Sequence, residues 1–99
     1  MMDLKGRKVL VTGASGGIGK AIALELSSSG ADLCLTGRNK SELENIQKII
    51  GVNCPIIISD LSNSEGINNL ADQAQEIMGQ IDILVNNAGI TKDNLFMRM

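Results

Sequence analysis

The sequence has no histidine, tyrosine or tryptophan, and its 99 residues include one phenylalanine and one proline. Without histidine there is no Ser–His or Cys–His nucleophile pair and no histidine-containing zinc site, and without tyrosine there is no phenolic proton donor. We therefore predict no catalytic residue and no metal site in this chain. Cys34 lies in an apolar run and Cys54 precedes the proline, so both are expected to be buried reduced thiols.

Charge and long apolar runs are also scarce. Nine Lys and Arg against eleven Asp and Glu give a net charge of −2, with a pI near 4.9. Such a chain lacks the basic surface typical of proteins that bind nucleic acid or membrane surfaces. No run approaches the ~20 apolar residues of a membrane span, and the N-terminus has no signal-peptide pattern. We expect a cytoplasmic protein with neither nucleic acid nor membrane as a partner.

Four short apolar runs alternate with three stretches of helical periodicity. Such an order of β-α-β-α-β-α-β predicts a parallel sheet with right-handed crossovers. We expect an α/β fold, specifically the N-terminal half of a Rossmann-like doubly wound sheet with strand order 3-2-1-4, in which residues 1–99 belong to a single domain. The first two helices would cover one face and the third helix the other. The predicted strands are residues 8–12, 31–36, 56–59 and 81–85.

The predicted helix boundaries rest on capping signals. Gly30 suits a left-handed C-cap after the first helix. Ser41 with Glu44 has the spacing of a capping box that would begin a helix running to about residue 50, and Ser62 with Glu65 has the same spacing before the third helix, which would end at Gly79.

A glycine-rich turn, Thr12-Gly13-Ala14-Ser15-Gly16-Gly17-Ile18-Gly19, joins the first strand to the first helix. Unpaired amides and the positive end of a helix dipole attract phosphate there, and glycine allows close approach, so the turn indicates dinucleotide binding; a plain turn is the alternative. A Walker P-loop fails, because Ala14 and Ala21 stand where Gly and Ser or Thr are required.

The glycine spacing, together with Asn86-Asn87-Ala88-Gly89 after the fourth strand, resembles the short-chain dehydrogenase/reductases, and the resemblance covers all 99 residues. The stretch 90–99 is similar to the bacterial β-ketoacyl-acyl-carrier-protein reductases of fatty-acid synthesis. That resemblance implies NADPH-dependent reduction of a 3-oxoacyl group, carried on acyl carrier protein, to the 3-hydroxyacyl form. It also implies a homotetramer.

The resemblance assigns cofactor contacts to three segments. The glycine-rich turn would hold the pyrophosphate and adenosine ribose, Asp60 and Leu61 would contact adenine, and the segment after Asn86 would lie under the nicotinamide ribose. Without the resemblance, the favoured interpretation of Asp60 is a turn residue, and an ordinary loop is the less favoured alternative for the asparagines. The residues implied in cofactor binding are Gly13, Ala14, Ser15, Gly16, Gly17, Ile18, Gly19, Asp60, Leu61, Asn87, Ala88 and Gly89, while Thr12 and Asn86 would hydrogen-bond the two loops together.

Arg38, just after the second strand, predicts NADP(H) as the cofactor. An acidic residue there would favour NAD, whereas a guanidinium can form a charge-assisted pair with the 2′-phosphate; Asp32 lies at the other end of the strand. Many members of the family carry a second basic residue in the glycine loop, where this chain has Gly16.

The Ser, Tyr and Lys set on which the family's chemistry depends cannot be placed in this sequence. We therefore expect a part of a longer enzyme that is inactive alone. Two other readings remain: a noncatalytic NADP(H)-binding module, and a short-chain dehydrogenase/reductase for a different ketone or alcohol. Lys92 and Arg98 are candidate contacts for an acidic carrier protein, although solvated surface charge is the favoured interpretation of both.

Overall fold

A computed structural model describes residues 3–14, 16–51 and 53–87 of the chain. Strands and helices alternate along the whole of it. The elements are β1 (Lys8–Thr12), α1 (Gly17–Ser28), β2 (Asp32–Gly37), α2 (Lys40–Ile50), β3 (Ile56–Ile58), α3 (Ser64–Met78) and β4 (Ile83–Asn86).

The four strands form one parallel sheet in the order β3-β2-β1-β4. The chain adds β2 and β3 on one side of β1 and then adds β4 on the other side. The order in which strands are added therefore reverses between β1 and β4. The carboxyl ends of β1 and β4 therefore flank a crevice, the usual place for a ligand in an open α/β sheet. The predicted Rossmann-like half-sheet, with four parallel strands and three helices, is confirmed.

Alternate residues of the strands face the two layers of helices, as the two-residue period of a strand requires. The first face carries a core of Leu10, Cys34 and Ile57 against α3, while the opposite face packs against α1 and α2. The predicted distribution of helices over the two faces is therefore confirmed. The fully buried strand residues of the second face are Val9, Val11 and Leu35.

Three of the four strands differ from the sequence prediction, by one or two residues at one or both ends. β2 extends to Gly37, whose carbonyl accepts the Ser59 N–H at 3.0 Å, and β3 ends at Ile58. β4 begins at Ile83, where pairing with β1 starts. Ile81 was predicted to lie in the strand because it is apolar, but its side chain packs against the core under α3.

Both predicted capping boxes are wrong. Asn39 caps α2, with its side-chain oxygen accepting the Glu42 N–H at 3.1 Å, so Ser41 lies inside the helix. Asn63 caps α3 in the same way, through the Gly66 N–H at 2.8 Å. The Ser62 N–H donates to the Asp60 carboxylate at 3.0 Å, in place of the bond to the Glu65 side chain that a capping box requires.

Glycine terminates α1 as predicted. The helix ends at Ser28, and Gly30 adopts a φ of +93°, a left-handed conformation that L side chains rarely take. Its N–H donates to Ser27 O at 3.0 Å, and Ala31 N–H donates to Leu26 O at 3.2 Å. These bonds satisfy the last carbonyls of the helix and turn the chain into β2.

Both cysteines are buried free thiols, as predicted. Burial, and the nearby Cys54 to a lesser degree, raises the pKa of Cys34 to about 12, and burial raises the pKa of Cys54 to about 11. Neither thiol ionises at neutral pH, so both behave as small apolar side chains. Over the described residues, no helix combines the length and hydrophobicity that crossing a membrane would require.

Candidate cofactor site

A pocket of about 580 Å³ opens at the carboxyl edge of the sheet. It is bounded by the segments that follow β1, β2, β3 and β4, so four separate parts of the sequence meet there. Parallel strands bring this about, since all their carboxyl ends lie at one edge. The lining residues are Gly13, Gly16, Gly37, Arg38, Asn39, Ser59, Asp60, Leu61, Ser62 and Asn87.

The glycine-rich turn presents the amino end of α1 to this pocket. Gly16 is the N-cap and contributes no side-chain hydrogen bond, and the first turn of the helix carries no acidic residue. The first amides of a helix have no partner within the helix, and its dipole makes that end positive. The residues of this turn, Gly17, Ile18 and Gly19, therefore offer donors and positive potential to an anion.

Gly19 is required by the close contact between the helix and the turn. A Cβ there would lie 2.1 Å from the Gly13 carbonyl oxygen and 2.8 Å from Ala14 Cα, distances that no real side chain shows. At Gly17 a Cβ would meet nothing within 4 Å. The two glycines thus differ in role. Gly19 allows the turn to fold against the helix, whereas Gly17 leaves open space at the amino end of the helix, which we call the cradle.

The turn is fixed from behind by β2. Gly13 has a φ of +64°, which reverses the chain after β1, and the N–H of the buried Ala14 donates to Thr36 O at 3.0 Å. Gly16 N–H closes the turn on Gly13 O at 3.2 Å. The position of the helix amides is therefore set before any ligand binds.

The two sequence motifs touch each other, as predicted for Thr12 and Asn86. Thr12 Oγ1 lies 3.4 Å from Asn86 Oδ1 and 3.2 Å from Val85 O, and the Asn87 side-chain amide donates to Gly13 O at 3.2 Å. These contacts join the glycine-rich turn to the end of β4. Ser15, Ala88 and Gly89, which the sequence also placed in the site, lie outside the described residues.

Asp60 follows β3 and lines the pocket in ionised form. Its carboxylate accepts hydrogen bonds from the Ser62 side chain and N–H, and these, with a smaller contribution from Arg38, lower its pKa. The turn reading of Asp60 from the sequence is thus confirmed. It does not compete with a ligand role, because the same residue borders the pocket with Leu61.

Arg38 lies at the carboxyl end of β2, across the pocket from the glycine-rich turn. It is exposed, so its guanidinium is accessible to an anionic ligand. Asp32, by contrast, pairs with Lys8 at the amino end of the sheet. The end of β2 that faces the pocket therefore carries a positive side chain.

A second cavity, of about 640 Å³, lies at the opposite, amino edge of the sheet. Asp32, Cys54 and Met78 are among its lining residues, and none of the predicted site residues borders it. The Lys8 ammonium at its wall is engaged by the carbonyl oxygen of Met78 at 2.5 Å. Its larger size does not make it the better candidate, since no helix amino end opens into it.

Sequence reasoning missed four lining residues, Gly37, Asn39, Ser59 and Ser62. Each is next in sequence to a predicted site residue, namely Arg38, Asp60 or Leu61. A small or polar residue at such a position was the one feature of the sequence that could have indicated them. Among the described residues, no group of three or more His, Cys, Asp or Glu side chains could hold a metal ion.

The parallel sheet, with a helix amino end, a basic residue and an acidic turn around the crevice, has the architecture of a Rossmann-type half-fold. The family model of the short chain dehydrogenases matches residues 7–99. The chain belongs to this family.

Relatives align with all or nearly all of this chain, and they are longer than it. A nodulation protein G of a Rhizobium species is 48% identical over 99 residues, covering 100% of this chain and 40% of the relative. A 3-oxoacyl-acyl-carrier-protein reductase of Haemophilus influenzae is 45% identical over 96 residues, covering 97% and 40%. The chain thus spans about 40% of the length of these curated relatives.

Solved structures share the fold described above. The Pseudomonas aeruginosa RhlG/NADP active-site complex has a TM-score of 0.81 at 37% identity, covering 90% of this chain and 36% of that one. A 3-ketoacyl-(acyl-carrier-protein) reductase from Brucella melitensis, complexed with NADH, has a TM-score of 0.80 at 33% identity, covering 88% and 36%. At these identities the likeness extends beyond the fold to the family.

Proposed function

We propose that this chain is the NADP(H)-binding part of a reductase that converts 3-oxoacyl groups on acyl carrier protein to 3-hydroxyacyl groups. The observation that carries the proposal is the pocket in which the amino end of α1, Arg38 and Asp60 meet at the carboxyl edge of the sheet. Relatives named as 3-oxoacyl-acyl-carrier-protein reductases, matched over nearly the whole chain, supply the substrate class.

The residues around the pocket fit the parts of a dinucleotide phosphate. The open cradle at Gly17 and the amides beside it suit the pyrophosphate, and Arg38 suits the 2′-phosphate of the adenosine ribose. Asp60 and Leu61 would contact adenine. Asn87, with Ala88 and Gly89, would lie along the nicotinamide ribose.

Bound NADPH supplies a hydride, and the ketone oxygen then needs a proton. This chain contains no histidine or tyrosine to donate it. The proposal therefore assigns the proton donor to residues outside this sequence, and gives the present residues the tasks of binding and orienting the cofactor. It also includes acyl carrier protein as the partner, assembly as a homotetramer and a cytoplasmic location.

A second candidate is reduction or oxidation of a different ketone or alcohol by the same cofactor half. The nodulation protein G relatives, at 48% and 44% identity, favour this second candidate, because that name specifies no substrate. The two candidates share every step of cofactor binding and differ only in the substrate.

The cofactor half of the proposal is tested by a charge placed in the cradle. In the complete polypeptide that carries these residues, Gly17→Asp adds a carboxylate where a Cβ meets nothing within 4 Å. An acid in the first turn stabilises a helix but repels a pyrophosphate. We expect NADPH affinity, followed by its fluorescence, to fall by about tenfold or more while the melting temperature holds or rises.

Gly17→Ala is the matched control, because it adds the Cβ without the charge. Equal NADPH affinity in Gly17→Asp and Gly17→Ala would remove the pyrophosphate from this site. NADPH oxidation by the complete polypeptide with an acetoacetyl thioester tests the substrate half: turnover supports the 3-oxoacyl assignment, and turnover only with unrelated ketones rejects it in favour of the second candidate.

A further inference from the structure

Two hydroxyl groups are hydrogen-bonded side by side at the carboxyl ends of β2 and β3. Thr36 is completely buried, whereas Ser59 is part-exposed and lines the pocket. Thr36 Oγ1 lies 2.7 Å from the carbonyl oxygen of Ile57 and 2.6 Å from Ser59 Oγ. Nothing in the family resemblance assigns a role to either hydroxyl.

The direction of both hydrogen bonds follows from counting protons. A hydroxyl has one proton to donate, and a carbonyl oxygen can only accept. The proton of Thr36 is therefore committed to Ile57 O, so Ser59 must be the donor in the bond between the two hydroxyls. The Ser59 oxygen therefore has only lone pairs left to offer to a ligand in the pocket that this residue lines.

A second acceptor stands beside Ser59. The adjacent Asp60 carboxylate also lines the pocket and is held in its turn by the Ser62 N–H. Two acceptors on consecutive residues of the pocket lining complement a ligand group that carries two N–H donors. A carbonyl at the same place would face the lone pairs of Ser59 without a proton between them, which is unfavourable.

We propose that Ser59 is a specificity-determining residue that accepts a hydrogen bond from the exocyclic amino group of the adenine, and that Thr36 is the positioning residue that fixes Ser59 as an acceptor. The inference rests on the proposed function, because it takes the ligand to be an adenine dinucleotide. It adds to that function the recognition of adenine by Ser59, whose hydrogen-bonding direction is set by its contact with the buried Thr36.

The test compares NADPH with its analogue in which hypoxanthine replaces adenine, so that a carbonyl replaces the amino group. Both affinities are measured by fluorescence titration on the complete polypeptide, and the quantity compared is the ratio of the two dissociation constants. In Ser59→Ala the preference for NADPH over the analogue falls by about three- to tenfold, the value of one neutral hydrogen bond.

Thr36→Val is the sharper variant, because it keeps the shape of the buried side chain and removes the group that holds the Ser59 proton. Ser59 is then free to donate, so binding of the hypoxanthine analogue improves relative to NADPH, and the ratio falls at least as far as in Ser59→Ala. Thr36→Ser and Ser59→Thr keep both hydroxyls and keep the wild-type ratio. A purely structural role would lower both affinities together and leave the ratio unchanged.

The possible failures are distinguishable. If NADPH binds and the ratio is the same in Thr36→Val, Ser59→Ala and the wild type, the inference is overturned and the proposed function stands. If the wild type binds neither dinucleotide, both are overturned. Should Thr36→Val not fold, Ser59→Ala decides the matter, since that side chain lies at the surface of the pocket.

Discussion

Arg38 is the side chain that separates the two nicotinamide cofactors in the proposed function. It is exposed at the pocket and supplies positive charge at the end of β2. In Arg38→Asp the guanidinium partner of a 2′-phosphate becomes a carboxylate that accepts from a free 2′-hydroxyl. We expect the affinity ratio of NADPH to NADH to fall by about tenfold or more.

The measurement is fluorescence titration with both reduced cofactors. Arg7→Asp is the matched control, because it makes the same change of charge at the opposite edge of the sheet, where Arg7 O accepts the Asp32 N–H. A ratio that moves equally in both variants would mean that net charge, and not Arg38 itself, selects the cofactor.

At the residue scale, the sequence predicted the glycines and Asp60 but not Ser59. Gly19 can be placed because its spacing from Gly13 has one geometric cause, the contact that excludes a Cβ. The role of Ser59 depends on its contact with Thr36, which is 23 positions away and is set by the pairing of Gly37 with Ile58. That register belongs to the folded sheet and has no local signal.

α3 is docked onto the end of β3 through a glycine. A Cβ at Gly66 would lie 1.7 Å from the Asp60 carbonyl oxygen, so any side chain there must push the helix away from the turn that carries Asp60. We expect Gly66→Ala to lower the free energy of unfolding by about 1–3 kcal/mol and to weaken NADPH binding. Urea unfolding of the complete polypeptide measures the first effect.

Asn69→Ala, at an exposed position of the same helix, is the control for the change in helix propensity. A midpoint raised as much in Gly66→Ala as in Asn69→Ala would show that the helix and the turn move apart at no cost.

Asp82 joins β4 to β1 at the amino edge of the sheet. Its carboxylate accepts the Lys8 N–H at 2.8 Å, and this bond, then that from Gln80 and the nearby Arg7 and Lys8 charges, lower its pKa. A lowered pKa means that the ionised form stabilises the fold above the pKa of the unfolded chain and that this stabilisation is lost as pH falls through the folded pKa.

We therefore expect the wild type to lose stability more steeply than Asp82→Asn as the pH falls from about 5 toward 2. Thermal unfolding followed by circular dichroism across that range checks it. Glu76→Gln, which removes an exposed carboxylate from α3, should retain the wild-type steepness. The same slope in Asp82→Asn and the wild type would refute a role for this carboxylate in the acid transition.

At the element scale, the hydrophobic period predicted the type, order and faces of the seven elements, while the predicted N-caps of α2 and α3 were wrong. The faces follow from alternation, as with Leu10 toward α3 and Val9 toward the other helices. The caps were wrong because Ser41 and Asn39 are both good capping residues, and so are Ser62 and Asn63. Which residue caps is decided by the preceding loop, and Asp60 had already bound the Ser62 N–H.

For the whole molecule, ligand binding should appear as added stability. A ligand that binds only the folded form stabilises it by about 2.7 kcal/mol at a concentration of 100 times its dissociation constant. We expect adenosine 2′,5′-bisphosphate, which carries the adenine and the 2′-phosphate, to raise the melting temperature of the complete polypeptide progressively with concentration. AMP, which lacks the 2′-phosphate, should raise it less at every concentration.

Arg38→Asp provides the control here, because it should bring the two curves together. Two superimposed curves already in the wild type would contradict recognition of the 2′-phosphate.

Hydrogen bonds of Lys8 and Arg7 hold the strands together at the amino edge of the sheet. The Lys8 N–H donates to the Asp82 carboxylate, and Lys8 O accepts the Asp82 N–H. The Lys8 ammonium donates to Met78 O at the end of α3, and Arg7 O accepts the Asp32 N–H. These bonds lie at the edge opposite the pocket, so they do not depend on the loops that line it. Exchanging those loops is therefore a route to new specificities, since the hydrogen bonds at the amino edge still hold the sheet together.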